Sequence, residues 1–168
     1  DERNGTMHVW DVWNQVDYTT YRKYKPRFVS EFGFQGPPAW STLTSVVHDS
    51  PLDPYGQQML VHQKAFEGNL KLERGLGEHL PKWKDIDDWH WTTQLNQARA
   101  VAYGIEHFRS LFPLNTGAVV WQLNDNWPVV SWAHGTSGIG DGCAPSRVGP
   151  AMPKRDWAYL GTWMRQGY

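Results

Sequence analysis

An α/β architecture with parallel strands is the predicted fold class, on three observations. Two short runs rich in β-branched and aromatic residues, "RFVSEF" (27–32) and "TGAVVWQLND" (116–125), read as strands, the second one buried. Between them, "TTQLNQARAVAYGIEHFRSLF" (92–112) repeats apolar residues at spacings of three and four, the mark of a helix with one apolar face. A long helical crossover joins parallel neighbours, because tight hairpins connect only antiparallel strands. Both strand candidates also end in polar residues, "SE" and "QLND", and in barrels of alternating strands and helices the carboxyl ends of the strands carry the chemistry.

Taken in order, "MHVWDVW" (7–13) is a short β-prone aromatic run, and "VDYTTYRKYK" (16–25) is a short helix or irregular segment broken by Pro26. The strand at 27–32 is ended by Gly33 and "GPP" (36–38). "WSTLTSVV" (40–47) reads as a short helix capped near Ser41. In "SPLDPYGQQMLVHQKAF" (50–66), Asp53 is the expected N-cap, with Pro54 at the first helical position. "EGNLKLERGLGEHLPKW" (67–83) is Gly-rich and is expected to be a connecting loop with helical pieces. In the long helix, Leu95, Ala98, Ala102, Ile105, Phe108 and Phe112 form the expected apolar face, Thr92 or Thr93 the cap, and Pro113 the stop. The Gly-, Pro- and Ser-rich stretch 134–156 is expected to be irregular, with a final short helix over 157–168.

Length and composition bound the function. The 168 residues suffice for one domain with a core, and the formal net charge is −1. No basic tract suggests nucleic acid or an anionic membrane as partner, and no apolar run approaches a membrane span. The first residues carry no signal-peptide pattern, residue 1 is Asp rather than Met, and a processed or truncated chain is expected; the compartment stays open. A lone cysteine, Cys143, excludes an intrachain disulfide and reads as inert. The informative bias is tryptophan, eleven residues, each a rigid apolar face with one N–H donor. Sugar rings match that pairing; an aromatic-rich core is the plain alternative.

Three segments could carry chemistry. Glu31, at the end of its strand, reads as a nucleophile or acid/base, or else as a solvated acid paired with Arg27 or Lys25. "WQLNDNWP" (121–128) offers stacking faces and hydrogen-bond partners for hydroxyls, although Asn and Asp also build ordinary turns, and Asp125 competes with Glu31 as a catalytic acid. "DIDDWHWTT" (85–93) sets three Asp beside His90, but no metal-ligand spacing occurs and acids are favoured at helix starts, so no metal is expected. His48, His62, His79, His107 and His134 carry no functional expectation.

"RFVSEFGFQ" followed about ninety positions later by "GAVVWQLNDNWPVVSWA", with "HVWDVW" before and "DDWHWTTQLNQARAVAYGIEHFRS" between, resembles the catalytic barrel of family 2 glycoside hydrolases, specifically the β-mannosidase branch. The resemblance covers roughly residues 5–133. It implies the last part of a (β/α)8 TIM-type barrel, about strands six to eight, within a larger enzyme, so that residues 1–133 form a partial catalytic barrel needing the rest of the parent. Residues 134–168 depart from the family pattern as an atypical tail. By the same resemblance, Glu31 is the nucleophile of a retaining exo-β-mannosidase, and Trp121 floors the sugar subsite. Asn124 and Asp125 shape the pocket, and His8, Trp10 and Trp13 line it. The family's acid/base Glu follows an Asn; no Asn-Glu dipeptide occurs here, so that partner is expected upstream of residue 1 and the isolated chain is expected to be inactive. The implied substrate is an oligosaccharide with terminal non-reducing β-D-mannose, and the chemistry needs no cofactor. Other family 2 specificities (β-galactosidase, β-glucuronidase, exo-β-glucosaminidase) and a non-catalytic carbohydrate-binding or interaction module are the alternatives.

Overall fold

The computed structural model describes residues 1–134; the expected irregular stretch 134–156, apart from its first residue, and the expected helix at 157–168 lie outside the described residues. Three short strands form one parallel sheet in the order β1 (Met7–Val9), β2 (Val29–Phe32), β3 (Ala118–Val120). The central strand is thus paired on both sides, with His8 opposite Glu31, Val9 opposite Phe32, and Phe32 opposite Val120. Its register slips between Val29 and Phe32. Both of those side chains are buried while Ser30 and Glu31 between them are half-exposed, so the irregularity re-aims the two polar residues away from the core.

The connections are helical: α1 (Asp11–Asn14), a 3₁₀ turn (Tyr18–Lys23), then α2 (Trp40–Thr44), α3 (Gln57–Val61), α4 (Gly68–Leu76) and α5 (Ile86–Ser110). Parallel strands with helical crossovers match the predicted class. They do not by themselves make a closed barrel.

Several boundaries differ from the sequence expectation for local reasons. Asp53 does not cap a helix at Pro54: its side chain and carbonyl accept the amides of Tyr55 and Gly56, closing a turn, and α3 starts later. The stretch over 67–83, expected as a connecting loop with helical pieces, holds the nine-residue α4. The long helix begins at Ile86, because Asp85 caps it by accepting the Asp88 amide at 2.9 Å, with Asp87 and Asp88 in the positive first turn. Thr92 and Thr93 lie inside it and bond back to the carbonyls of Asp88 and Trp89. Its buried face is also turned from the expected one: Thr93, Asn96, Ala100, Gly104 and Phe108 are buried, whereas Phe112 is exposed.

Small and polar residues occupy that face because large rings meet it. Tyr21, Phe32 and Phe108 pack edge to face at 5.6, 5.2 and 5.7 Å between centroids, a geometry that suits the ring quadrupoles. A Cβ on Gly104 would stand 2.7 Å from the Phe32 ring, so only glycine admits this approach. Asn115, buried, ties the start of β3 to the loop before β2 by donating to the Pro26 carbonyl at 2.9 Å and accepting the Gly117 amide.

Candidate active site

Glu31 sits on the central strand, one residue before its end, with a side chain 29% exposed. Trp10, just past β1, donates its indole Nε1–H to Glu31 Oε2 at 2.9 Å. His8 Nδ1 lies 3.5 Å from the same oxygen, on a more exposed side chain, where water screens the pair. Among the described residues these are the hydrogen-bond and ion-pair partners of the carboxylate. The sequence alternative of a pair with Arg27 is not what the fold makes: Arg27 donates to the Arg3 carbonyl.

On the other flank, Trp121 leaves β3 immediately beside the strand end, its amide donating to the Phe32 carbonyl at 2.8 Å. The two backbones approach so closely that a Cβ on Gly33 would lie 2.1 Å from the Trp121 carbonyl oxygen. Gly33 is therefore required by proximity, and its own carbonyl accepts from the buried Tyr21 hydroxyl at 3.3 Å. Burial pushes that phenol well above its ordinary range, so it remains a neutral donor. The indole of Trp121 is 41% exposed.

The remaining predicted residues divide. Trp13 is only 1% exposed; its ring packs edge-on against Phe34 and Trp132 at 5.3 and 6.1 Å, so it backs the wall rather than facing solvent. Its φ of 79° is a strained value for a bulky side chain, and the Arg74 guanidinium holds its carbonyl at 2.7 Å. Asn124 is exposed in the loop after β3. Asp125 accepts from Gln122 Nε2 and from the Asn126 amide, which is turn chemistry. Neither of these two bonds involves Glu31.

Sequence reasoning missed Trp132, which packs edge-on against Trp10 at 5.9 Å and so braces the donor to Glu31; a tryptophan in a run of Val and Ser carries no local signal for that. It also missed a His–Asp pair. His79 Nε2 and Asp17 Oδ2 lie 2.6 Å apart, with the imidazole stacked on Tyr18 at 4.3 Å. Burial pushes the Asp17 carboxyl up, but bonds from Thr19 and the His79 contact outweigh it and hold it below the usual carboxylate range. With Glu78, these residues bring possible metal-ligating atoms within 4.8 Å of one another. As placed, the pair fastens the 3₁₀ turn to the end of α4. Asp17 and Glu78 also border a cavity of about 170 Å³ with Trp13, Lys71 and Arg74. His90, between the two tryptophans of the acidic segment, is buried with Nε2 on the Pro38 carbonyl at 2.7 Å. Among the described residues no helix is long and apolar enough to cross a membrane.

A carboxylate held by a neutral donor at a strand end, with an exposed indole on the next strand, can present an oxygen nucleophile beside an apolar sugar face. No protein-family model matches the chain. Over 140 residues it is 34% identical to proteins named beta-mannosidase B from Aspergillus flavus and from Aspergillus niger, a match covering 79% of the chain and 16% of each relative. The crystal structure of a beta-D-mannosidase from Dictyoglomus thermophilum superposes with a TM-score of 0.78 at 34% identity, over 81% of the chain and 17% of that protein. The chain thus spans about one sixth of the length of the relatives it matches.

Proposed function

The chain belongs to a β-mannosidase-like family, glycoside hydrolase family 2, and from that membership we propose that it is a segment of a retaining exo-β-mannosidase barrel contributing the nucleophile. The observation that carries the reading is the Glu31 carboxylate, held by the Trp10 indole at the end of the central strand, next to the strand that delivers Trp121.

In this reading Glu31 Oε attacks the anomeric carbon of a terminal β-D-mannose and the bond to the leaving oxygen breaks. The resulting glycosyl-enzyme ester is then hydrolysed by water. The Trp10 N–H orients the carboxylate without charging or protonating it, which leaves the free oxygen nucleophilic. Trp121 supports the apolar face of the sugar. His8 borders the same oxygen. The retaining mechanism needs a second carboxyl group about 5–5.5 Å away to protonate the leaving oxygen and later activate water. The family's Asn-Glu signature for that residue does not occur in the chain, so the proton donor is assigned to a barrel strand of the parent enzyme.

The test compares the 168-residue chain, the polypeptide carrying the complete barrel, and Glu31→Gln in the latter, on an aryl β-mannoside. The complete barrel is expected to turn over, Glu31→Gln to abolish turnover, and the chain alone to fail, since general acid catalysis alone contributes about 10²–10⁴-fold. Robust turnover by the isolated chain would place a second catalytic carboxylate within it, Asp125 first. Activity surviving Glu31→Gln would refute the nucleophile assignment.

A further inference from the structure

The loop between Trp121 and Trp132 stands with both feet beside Glu31. At one foot the Trp121 amide bonds to Phe32, the residue after Glu31; at the other, the Trp132 ring packs against Trp10, the residue that donates to Glu31. The neck is closed by Gln122 donating to the Trp132 carbonyl at 3.1 Å and by His134 donating to the Gln122 carbonyl at 3.1 Å.

Towards its tip the loop carries a second exposed indole. Trp127 is 37% exposed, and its ring lies 5.0 Å from the His62 imidazole at an interplanar angle of 36°. His62 is fixed in turn: its Nδ1 lies 2.6 Å from the Pro128 carbonyl and its own carbonyl accepts the Val130 amide at 2.7 Å. Trp127 is therefore a half-exposed aromatic face resting against an imidazole that is itself held in place. Holding an apolar face rigid and in water suits binding, because its ordering cost is already met before a ligand arrives.

We propose that Trp127, backed by His62, is the platform for the leaving-group sugar of the substrate. This rests on the glycosidase reading above. The ligand class follows from the surface: an indole face receives the apolar C–H side of a pyranose. The distance is bounded by the chain itself. Six residues from Trp121 to Trp127 reach at most about 20 Å, so the platform lies within a few sugar lengths of the indole assigned to the terminal mannose. An exo-acting site sends the rest of its oligosaccharide outward past the strand ends, and this loop follows the carboxyl end of β3.

The experiment uses the enzyme with its complete barrel and two substrates, β-mannosyl fluoride, which has no leaving sugar, and β-1,4-mannobiose. Trp127→Ala is expected to lower kcat/KM on mannobiose about tenfold while leaving the fluoride within twofold, and Trp127→Phe to retain most of the mannobiose activity. Equal losses on both substrates would make Trp127 a structural residue, and no loss on either would remove the platform; both overturn the proposal. A wild-type enzyme that hydrolyses neither substrate overturns the glycosidase reading and this inference with it, whereas normal turnover of both with an unaffected Trp127→Ala overturns the inference alone.

Discussion

Gly33→Ala is the most informative single change, because one methyl group tests both the stability and the geometry of the site. The added Cβ would stand 2.1 Å from the Trp121 carbonyl oxygen, against an ordinary C···O contact of about 3.3 Å. That oxygen belongs to backbone, so no side chain can swing aside. Separating the chains by about 1 Å stretches the 2.8 Å bond from the Trp121 amide to the Phe32 carbonyl to roughly 4 Å, beyond hydrogen-bond range. The lost bond costs about 0.5–1.5 kcal/mol net and the overpacking about 1–3 kcal/mol, together about 1.5–4.5 kcal/mol. The same displacement moves Trp121 relative to Glu31, and a misplacement of about 1 Å can cost about 10²-fold in turnover. Urea unfolding followed by tryptophan fluorescence measures the first effect and hydrolysis of an aryl β-mannoside by the complete barrel the second. Gly77→Ala, where the new Cβ meets its nearest atom at an ordinary 3.4 Å, serves as the control and should be close to neutral. A Gly33→Ala protein as stable as wild type, within about 0.5 kcal/mol, would show that the two strands are not in the contact described.

Trp10→Phe removes the donor to Glu31 while keeping most of the ring; with the carboxylate partly exposed, the lower end of the range for bonds to charged groups, about 1.5 kcal/mol, applies. That translates to about a tenfold fall in kcat/KM with the unfolding midpoint little changed. Asp85→Ala takes away the cap of α5 and should cost about 1 kcal/mol in urea unfolding, without changing the length of the helix core by circular dichroism. Burial lowers the pKa of His90 and, down to about 4, that of His134, so below the ordinary imidazole value of about 6.5 the unfolded chain binds more protons than the folded one. Stability should accordingly decline as pH falls from 7 towards 5, and His90→Gln should flatten that dependence in unfolding curves taken across the range.

The parallel strands and the long helix were legible because periodicity reports which residues face a core, whatever the core is made of. The helix start was misplaced at Thr92 or Thr93, although "DIDD" stands just upstream, because a hydroxyl inside a helix bonds back to a carbonyl one turn earlier and leaves the same local signature as a cap. The buried face was misjudged for a different reason. A sequence pattern rewards large apolar residues, whereas this face meets the rings of Phe32 and Tyr21 and needs Gly104 and Ala100 to make room. At the site, Glu31 and Trp121 stood out because each ends a β-prone run. The contact between Trp10 and Glu31 spans 21 positions of sequence and depends on the register of two strands, which no local pattern encodes. Trp13 was expected in the pocket through the family resemblance, but its positive φ turns the chain and the ring is buried.

The glycine on α5 that admits the Phe32 ring gives the molecule a mutational lever far from the chemistry. Phe32 follows Glu31 in the chain, so whatever presses on that ring from the helix side displaces the carboxylate on the other side of the strand. A side chain introduced at position 104 would thus act as a shim under the Glu31 carboxylate. Lineages or selection experiments that retune the proposed site have a route open through the helix, in paired changes at 104 and 32 that leave Glu31, Trp10 and Trp121 as they were.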